Sequence, residues 1–161
     1  MAENFVRVEL REYQIVDDMS HTQVIILGEV DGPRSFPIFI GFNEAVALDF
    51  AVGGGVAPRP MTHDLVLNVI RDLGAVLERA LVVKLEKDTF YGALELRTAD
   101  GRIVRVDSRP SDAIVIATKK RAPIYVEEQV LQEVSRHQQQ MASDADADAT
   151  EPDDMDDDSP F

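Results

Sequence analysis

The sequence predicts an α+β fold, with a mixed, mainly antiparallel sheet and helices packed on it in a single compact domain. Three observations lead to this prediction. Strand patterns fill the first 40 residues, helical patterns come later between further strands, and 161 residues with 45% hydrophobic side chains suffice for one buried core. Cysteine is absent, which excludes disulfides and thiolate metal sites.

Three strands are predicted at the beginning of the chain. Residues 4–11 alternate apolar and polar side chains, as expected of a half-buried strand, and residues 22–30 contain a longer apolar run. The turn residues 31–34 lead to a short strand over residues 36–40, where Pro37 indicates an edge or a strand start.

The first predicted helix covers residues 45–52, with Asn43 as its cap. It is apolar nearly all round, so we expect it to be deeply buried or packed against a second subunit. Asp49 lies within it, and because an unpaired charge there would be costly, we expect Asp49 to pair with Arg59 or Arg109.

A second helix is predicted to begin at Thr62 as its N-cap and to end before Gly74. Its apolar face comprises Leu65, Val66, Val69, Ile70 and Leu73. The later extended segments are expected over residues 76–87, 90–98, 103–107 and 122–126.

Two further helices complete the prediction. Residues 108–112 open a helix over residues 113–120, and a last helix runs from Glu127 to about Gln140. We therefore expect a folded domain over residues 1–140 and an acidic, disordered tail over residues 141–161.

The charge of the chain is strongly acidic, with 30 acids and 16 bases. The segment after Ser143 holds nine acids and no base, which leaves −5 of the total −14 on the rest of the chain. Any contact with phosphates must therefore come from a local patch of cations. The apolar runs are too short for a membrane span and no signal peptide is visible, so we expect a cytoplasmic protein without membrane contact.

One pattern occurs twice, each time before an apolar helix: Arg, Pro, a hydroxyl residue and then an acid. Its two copies are residues 59–64 and residues 109–112. A guanidinium and free backbone N–H groups at a helix N-terminus suit an anion such as phosphate. The alternative is ordinary helix-start chemistry, in which Pro presets φ, the hydroxyl caps and the acid complements the helix dipole.

If the two helix starts face each other, their acids can hold a hard divalent cation such as Mg²⁺ or Mn²⁺. The metal ligands would be Asp64, Asp107 and Asp112, with His63 as base or further ligand. A metal held there would activate water and offset the charge of a phosphodiester.

Several blocks of sequence in the same order resemble the bifunctional nuclease domain family. They are residues 36–41, 43–45, 58–65, 89–92, 106–114 and 122–126. The resemblance implies a compact α+β domain that is a homo-oligomer, with nuclease activity on DNA and RNA. The motif residues it implies are Glu44, Arg59, His63, Asp64, Asp107, Arg109, Ser111 and Asp112.

Two functions are therefore in competition. The first is a metal-assisted nuclease that hydrolyses phosphodiester bonds in DNA and RNA. Its catalytic residues would be His63, Asp64, Asp107 and Asp112, and its substrate-binding residues Arg59, Arg109 and Ser111. The second is a non-catalytic, oligomeric binding or regulatory module, in which the same Arg and Asp side chains form a structural network.

Overall fold

The computed structural model of the chain describes residues 4–15 and 22–148, with residues 142–148 as backbone only. Seven strands and four helices lie within these ranges. In chain order they are β1 (Phe5–Gln14), β2 (Gln23–Glu29), β3 (Ser35–Ile40), α1 (Phe42–Val52), α2 (Thr62–Asp72), β4 (Val76–Glu86), β5 (Thr89–Arg97), β6 (Ile103–Ser108), α3 (Pro110–Lys120), β7 (Ile124–Glu127) and α4 (Glu128–Asp148).

All seven strands form one sheet in the order β3-β2-β1-β7-β4-β5-β6. The β4–β7 pair is parallel and the other neighbouring pairs are antiparallel. The single parallel pair arises because the chain crosses over through α3 before β7 joins the centre of the sheet. The predicted fold class, a mixed and mainly antiparallel sheet with helices in one α+β domain, is confirmed.

The sheet is strongly curved around its core. The ring of Phe36 in β3 lies 5.7 Å from the ring of Phe90 in β5, centroid to centroid, although four strands separate β3 from β5 in the sheet. Twisted sheets of this size curl so that one face becomes concave. The concave face holds the hydrophobic core.

Helix α3 lies inside this curve. All its residues from Ala113 to Ala117 are buried, and it contacts α1, α2, β4 and β5. In α1, by contrast, Ala45 and Leu48 are buried while Val46 and Val52 are exposed. Of the two alternatives for the first helix, deep burial is wrong, because the sheet encloses α3 and α1 packs on α3. Packing of α1 against a second subunit stays a prediction.

The helix boundaries differ slightly from the predictions. The N-caps are Gly41 and Met61, each close before the predicted Asn43 and Thr62. Gly74 follows α2 with φ +73°, as predicted for a residue just past a helix end. Helix α4 continues to Asp148, beyond its predicted end near Gln140. The rest of the predicted acidic tail, residues 149–161, lies outside the described residues.

Asp49 does not pair with an arginine. The Tyr13 hydroxyl donates a hydrogen bond to Asp49 Oδ1 at 3.0 Å, and this bond raises the pKa of Tyr13. The predicted pairing with Arg59 or Arg109 is wrong because Arg109 is bound to other carboxylates, described below. The Tyr13 hydroxyl on β1 thus provides a hydrogen bond to the carboxylate of Asp49 on α1.

None of the helices in the described part of the chain is both long and apolar enough to cross a membrane.

Candidate functional site

Helices α2 and α3 begin side by side. His63 in the first turn of α2 places its Nε2 3.0 Å from Oδ1 of Asp112 in the first turn of α3. The side chains of His63 and Asp112 are 15% and 28% exposed. The two helix starts therefore face each other through His63 and Asp112, while Arg59 of the first Arg-Pro copy does not join this contact.

Arg109, the N-cap residue of α3, binds two carboxylates. Its Nε and Nη2 donate to Asp112 at 2.8 and 3.1 Å, and its Nη1 donates to Glu44 Oε1 of α1 at 2.8 Å. Fork-shaped contacts of this kind fix geometry as well as charge. Glu44, His63, Arg109 and Asp112 together are called the helix-start cluster.

The electrostatics of the cluster keep Asp112 ionised. Burial acts to raise the pKa of Asp112, but hydrogen bonds from Arg109 and His63 outweigh it and the pKa lies below its usual range. The same contacts with Asp112 and Glu44 raise the pKa of Arg109. The charged forms of both partners are thus the stable ones at neutral pH.

The local sequence explains why α3 begins where it does. Pro110 occupies the first helical position, where its fixed φ and missing N–H are tolerated. β5 passes so close that a Cβ on Gly92 would lie 2.8 Å from the backbone nitrogen of Pro110. Only glycine fits at this point of β5, and this close approach positions the start of α3 against the sheet.

Asp64 belongs to a second ion pair. Its Oδ1 lies 2.9 Å from Lys119 Nζ in the last turn of α3, and its Oδ2 accepts a hydrogen bond from the backbone N–H of Met61 at 3.0 Å. The bond from Lys119, followed by that from Met61, lowers the pKa of Asp64. Lys119 Nζ also lies 5.4 Å from the ring centroid of Phe50.

Three predicted site residues lie outside the cluster's hydrogen-bond network. Ser111 is buried at the start of α3. Arg59 is exposed and forms no ion pair within the described ranges. Asp107 is exposed on β6 opposite Ala93, next to Val106, whose partner Leu94 belongs to the core. Because side chains alternate along a strand, Asp107 lies on the face of the sheet opposite to the core.

The predicted metal ligands are therefore not brought together. Asp112 pairs with His63 and Arg109, Asp64 pairs with Lys119, and Asp107 lies on the other face. Among residues 4–15 and 22–148, no group of three His, Asp or Glu side chains is placed to hold a metal ion. The residues do not fit a divalent metal, and we assign no step to one.

Two residues that take part have partners that the sequence does not indicate. Glu44 is a motif residue through the family resemblance alone, and Lys119 is not among the predicted site residues. Glu44 binds Arg109 and Lys119 binds Asp64 because α1 and α2 pack on α3. Nothing in the local sequence shows that packing.

A cavity of about 300 Å³ adjoins the cluster. Glu44, Arg109 and Ser111 line it together with residues 38–41 and 88–90. The side chain of Arg109 is 64% exposed, so an anion in this cavity can reach the guanidinium without displacing the core. The site thus combines an accessible cation, a helix N-terminus and an imidazole held by a carboxylate.

Comparison with known proteins identifies the family. The profile described as "Bifunctional nuclease domain" matches residues 25–139. The chain belongs to the bifunctional nuclease domain family. The match includes every residue of the helix-start cluster, and the family is named for nuclease activity.

Two groups of relatives share the domain. Two uncharacterized proteins of Mycobacterium tuberculosis strains are each 40% identical over 116 residues, which cover 72% of this chain and 68% of the relative. "Bifunctional nuclease 1" of Oryza sativa subsp. indica is 23% identical over 122 residues, covering 74% of this chain and 37% of the rice protein. The more similar bacterial relatives carry no named activity, so catalysis in this bifunctional nuclease domain protein is taken up below as a proposal.

Proposed function

We propose that this chain is a nuclease that hydrolyses phosphodiester bonds in DNA and RNA at the helix-start cluster. The observation that carries the proposal is the 3.0 Å contact between His63 Nε2 and Asp112 Oδ1 at two facing helix starts. An imidazole oriented by a carboxylate is suited to general acid–base catalysis. Family membership supports the choice of reaction.

Each member of the cluster has a role in this proposal. His63 binds Asp112 through Nε2, which leaves Nδ1 to take a proton from the attacking water. Arg109 contacts the phosphate from the mouth of the adjoining cavity, and the N-terminus of α3 adds backbone N–H groups. Glu44 and Asp112 hold Arg109 in position. No step of this proposal uses Mg²⁺ or Mn²⁺, because the predicted ligands are not brought together among the described residues, and the assay with EDTA checks this directly.

The test is cleavage of labelled single- and double-stranded DNA and of RNA, each with Mg²⁺, Mn²⁺ or EDTA. We expect His63→Gln to lower the cleavage rate by about 100-fold or more, the usual contribution of a general base, without unfolding the chain. His137→Gln is the matched control, since His137 is an exposed residue of α4 that contacts only Glu133 within the described part of the chain. Undiminished cleavage by His63→Gln would contradict the proposed role.

The second function is the non-catalytic module, and a specific observation favours it. Within the cluster and beside it, the carboxylates of Glu44, Asp112 and Asp64 are each already paired with a cation. If this network is structural, wild-type protein cleaves none of the substrates, and His63→Gln lowers the melting temperature. Circular dichroism on the same variants separates this outcome from loss of catalysis.

We also infer that the chain forms a homo-oligomer through α2. The outer side of α2 and its C-cap carry an apolar stripe that includes Leu65, Val69 and Leu73, which are 57%, 49% and 78% exposed. Positions spaced by four residues lie on one helix face, so the stripe is continuous. A contiguous apolar surface on a soluble domain marks an interaction site, and an apolar stripe can pack against its own copy about a two-fold axis.

A further inference from the structure

The C-terminal end of α3 holds two adjacent cations, Lys120 and Arg121, that have no acidic partner among the described residues. Of the 16 Lys and Arg residues, five form no ion pair within the described residues: Arg7, Arg59, Lys87, Lys120 and Arg121. Lys120 and Arg121 are adjacent and exposed, and Arg7 of β1 lines the same cavity as Arg121. In a chain of charge −14, acids to pair with them are abundant, so this grouping calls for an explanation.

Three cavities meet at this corner. Their volumes are about 640, 430 and 360 Å³. Arg121 lines the first two, Lys120 lines the second and third, and Lys119 lines the first and third. The cavities therefore adjoin one another around the end of α3. We call this depression the α3 corner.

The carboxylates that line the α3 corner are already neutralised. Glu9 pairs with Arg11 at 3.1 Å, and Asp64 pairs with Lys119 at 2.9 Å. Glu78 pairs with Arg97. The unpaired cations thus give the depression a local positive charge that its own acids do not cancel.

The backbone of Arg121 supplies an independent observation. Arg121 ends α3 in the left-handed region, with φ +53° and ψ 33°. Glycine is the residue that adopts this conformation without strain at a helix end. The helix dipole explains Lys119 and Lys120, but it does not require arginine where glycine fits better. Because Arg121 adopts this conformation beside Lys120 and lines two of the cavities, its charge points to a function at this place.

We propose that the α3 corner binds the sugar-phosphate backbone of a single-stranded nucleic acid, beyond the bond held at the helix-start cluster. The proposal rests on the proposed nuclease function, because a strand must continue on either side of a scissile bond. Asp64 lines one of the three cavities and is the neighbour of His63 in the chain, so this part of the corner lies beside the cluster. Three adjoining cavities lined by several cations fit a polymer of phosphates better than one small anion.

The test measures binding apart from cleavage. A labelled single-stranded oligonucleotide of about 20 nucleotides is titrated with full-length protein at several KCl concentrations, and a gel scores strand length after each titration. For the double variant Lys120→Gln/Arg121→Gly, we expect weaker binding and a plot of log affinity against log salt that is shallower by about 1.4, about 0.7 for each lost phosphate contact. Its melting temperature should stay the same or rise, since glycine relieves the strain at position 121.

Lys87→Gly is the matched control, because Lys87 is an unpaired cation at φ +49° in the β4–β5 turn and lines none of the three cavities. Equal loss of affinity in Lys87→Gly and the double variant would overturn the proposal, as would equal competition by poly-glutamate of the same charge. Corner-dependent binding without cleavage would support the corner and reject the nuclease proposal. Cleavage together with an unchanged salt slope in the double variant would support the nuclease proposal and reject the α3 corner as a binding site.

Discussion

Asp112 connects the beginnings of α2 and α3 in the candidate site. It is the common acceptor for Arg109 and His63, so three helices are connected through one carboxylate and its partners. Its neighbour in space, the backbone of Pro110, is held against Gly92. The geometry of the cluster therefore depends on contacts that are far apart in the chain.

The lowered pKa of Asp112 predicts a pH dependence of stability. The ionised form is favoured in the folded state, so its contribution is complete above the unfolded pKa of about 3.9 and is lost as pH falls through the lower folded value. We expect Asp112→Asn to lower the free energy of unfolding by about 2 kcal/mol at pH 6 and by less near pH 3. Urea denaturation at both pH values measures this.

Asp72→Asn serves as the comparison for this measurement. Asp72 forms an exposed ion pair with Arg71, and such pairs contribute little. We expect a small effect that is alike at both pH values. An Asp112→Asn effect of equal size at pH 3 and pH 6 would contradict the assigned role of the charge.

At the residue scale, the sequence predicted which residues take part in the site better than it predicted on which face of an element their side chains lie. Arg109 and Asp112 belong to the order repeated at the two helix starts, His63 stands beside the acid of the other copy, and the structure brings these three together. Asp107 was predicted as a metal ligand at the same helix starts. Which face of β6 it occupies depends on the register with Ala93, and that register is set by tertiary pairing.

At the scale of elements, apolar composition identified the helices without showing which one is enclosed. The sequences of both α1 and α3 are apolar, but it is α3 that lies on the concave side of the curved sheet. Local propensity carries no information on that curvature. The pair between Asp64 and Lys119 has the same origin, because it requires α2 to pack along α3.

The exposed stripe on α2 leads to a prediction about assembly. Replacing Leu65 and Leu73 with Glu should convert the oligomer to a monomer in light scattering, because each charge would be buried in the interface. The melting temperature of the monomer should change little, since both side chains are already exposed in the described fold.

Val56→Glu is the control for this experiment. Val56 is 90% exposed in the segment before α2 and lies outside the stripe, so its substitution should leave the mass unchanged. A wild-type mass equal to 17.9 kDa would contradict self-association altogether.

At the scale of the whole molecule, the α+β class and most strands followed from periodicity, whereas the strand order did not. The neighbours of β7 are β1 and β4, the first strand and one from the middle of the chain. Pairings of such large sequence separation leave no local pattern. The sequence also did not locate the end of the last helix, since α4 extends beyond residue 140 into the predicted tail as far as Asp148.

The length of α3 sets a minimum ligand length. Lys120 and Arg121 follow Asp112 by eight and nine residues, a rise of about 12 to 14 Å at 1.5 Å per residue. A dinucleotide, with its single internucleotide phosphate, cannot contact both ends of that distance. Dinucleotides should therefore bind wild type and Lys120→Gln/Arg121→Gly alike, whereas oligonucleotides of about eight nucleotides should distinguish them in a titration series.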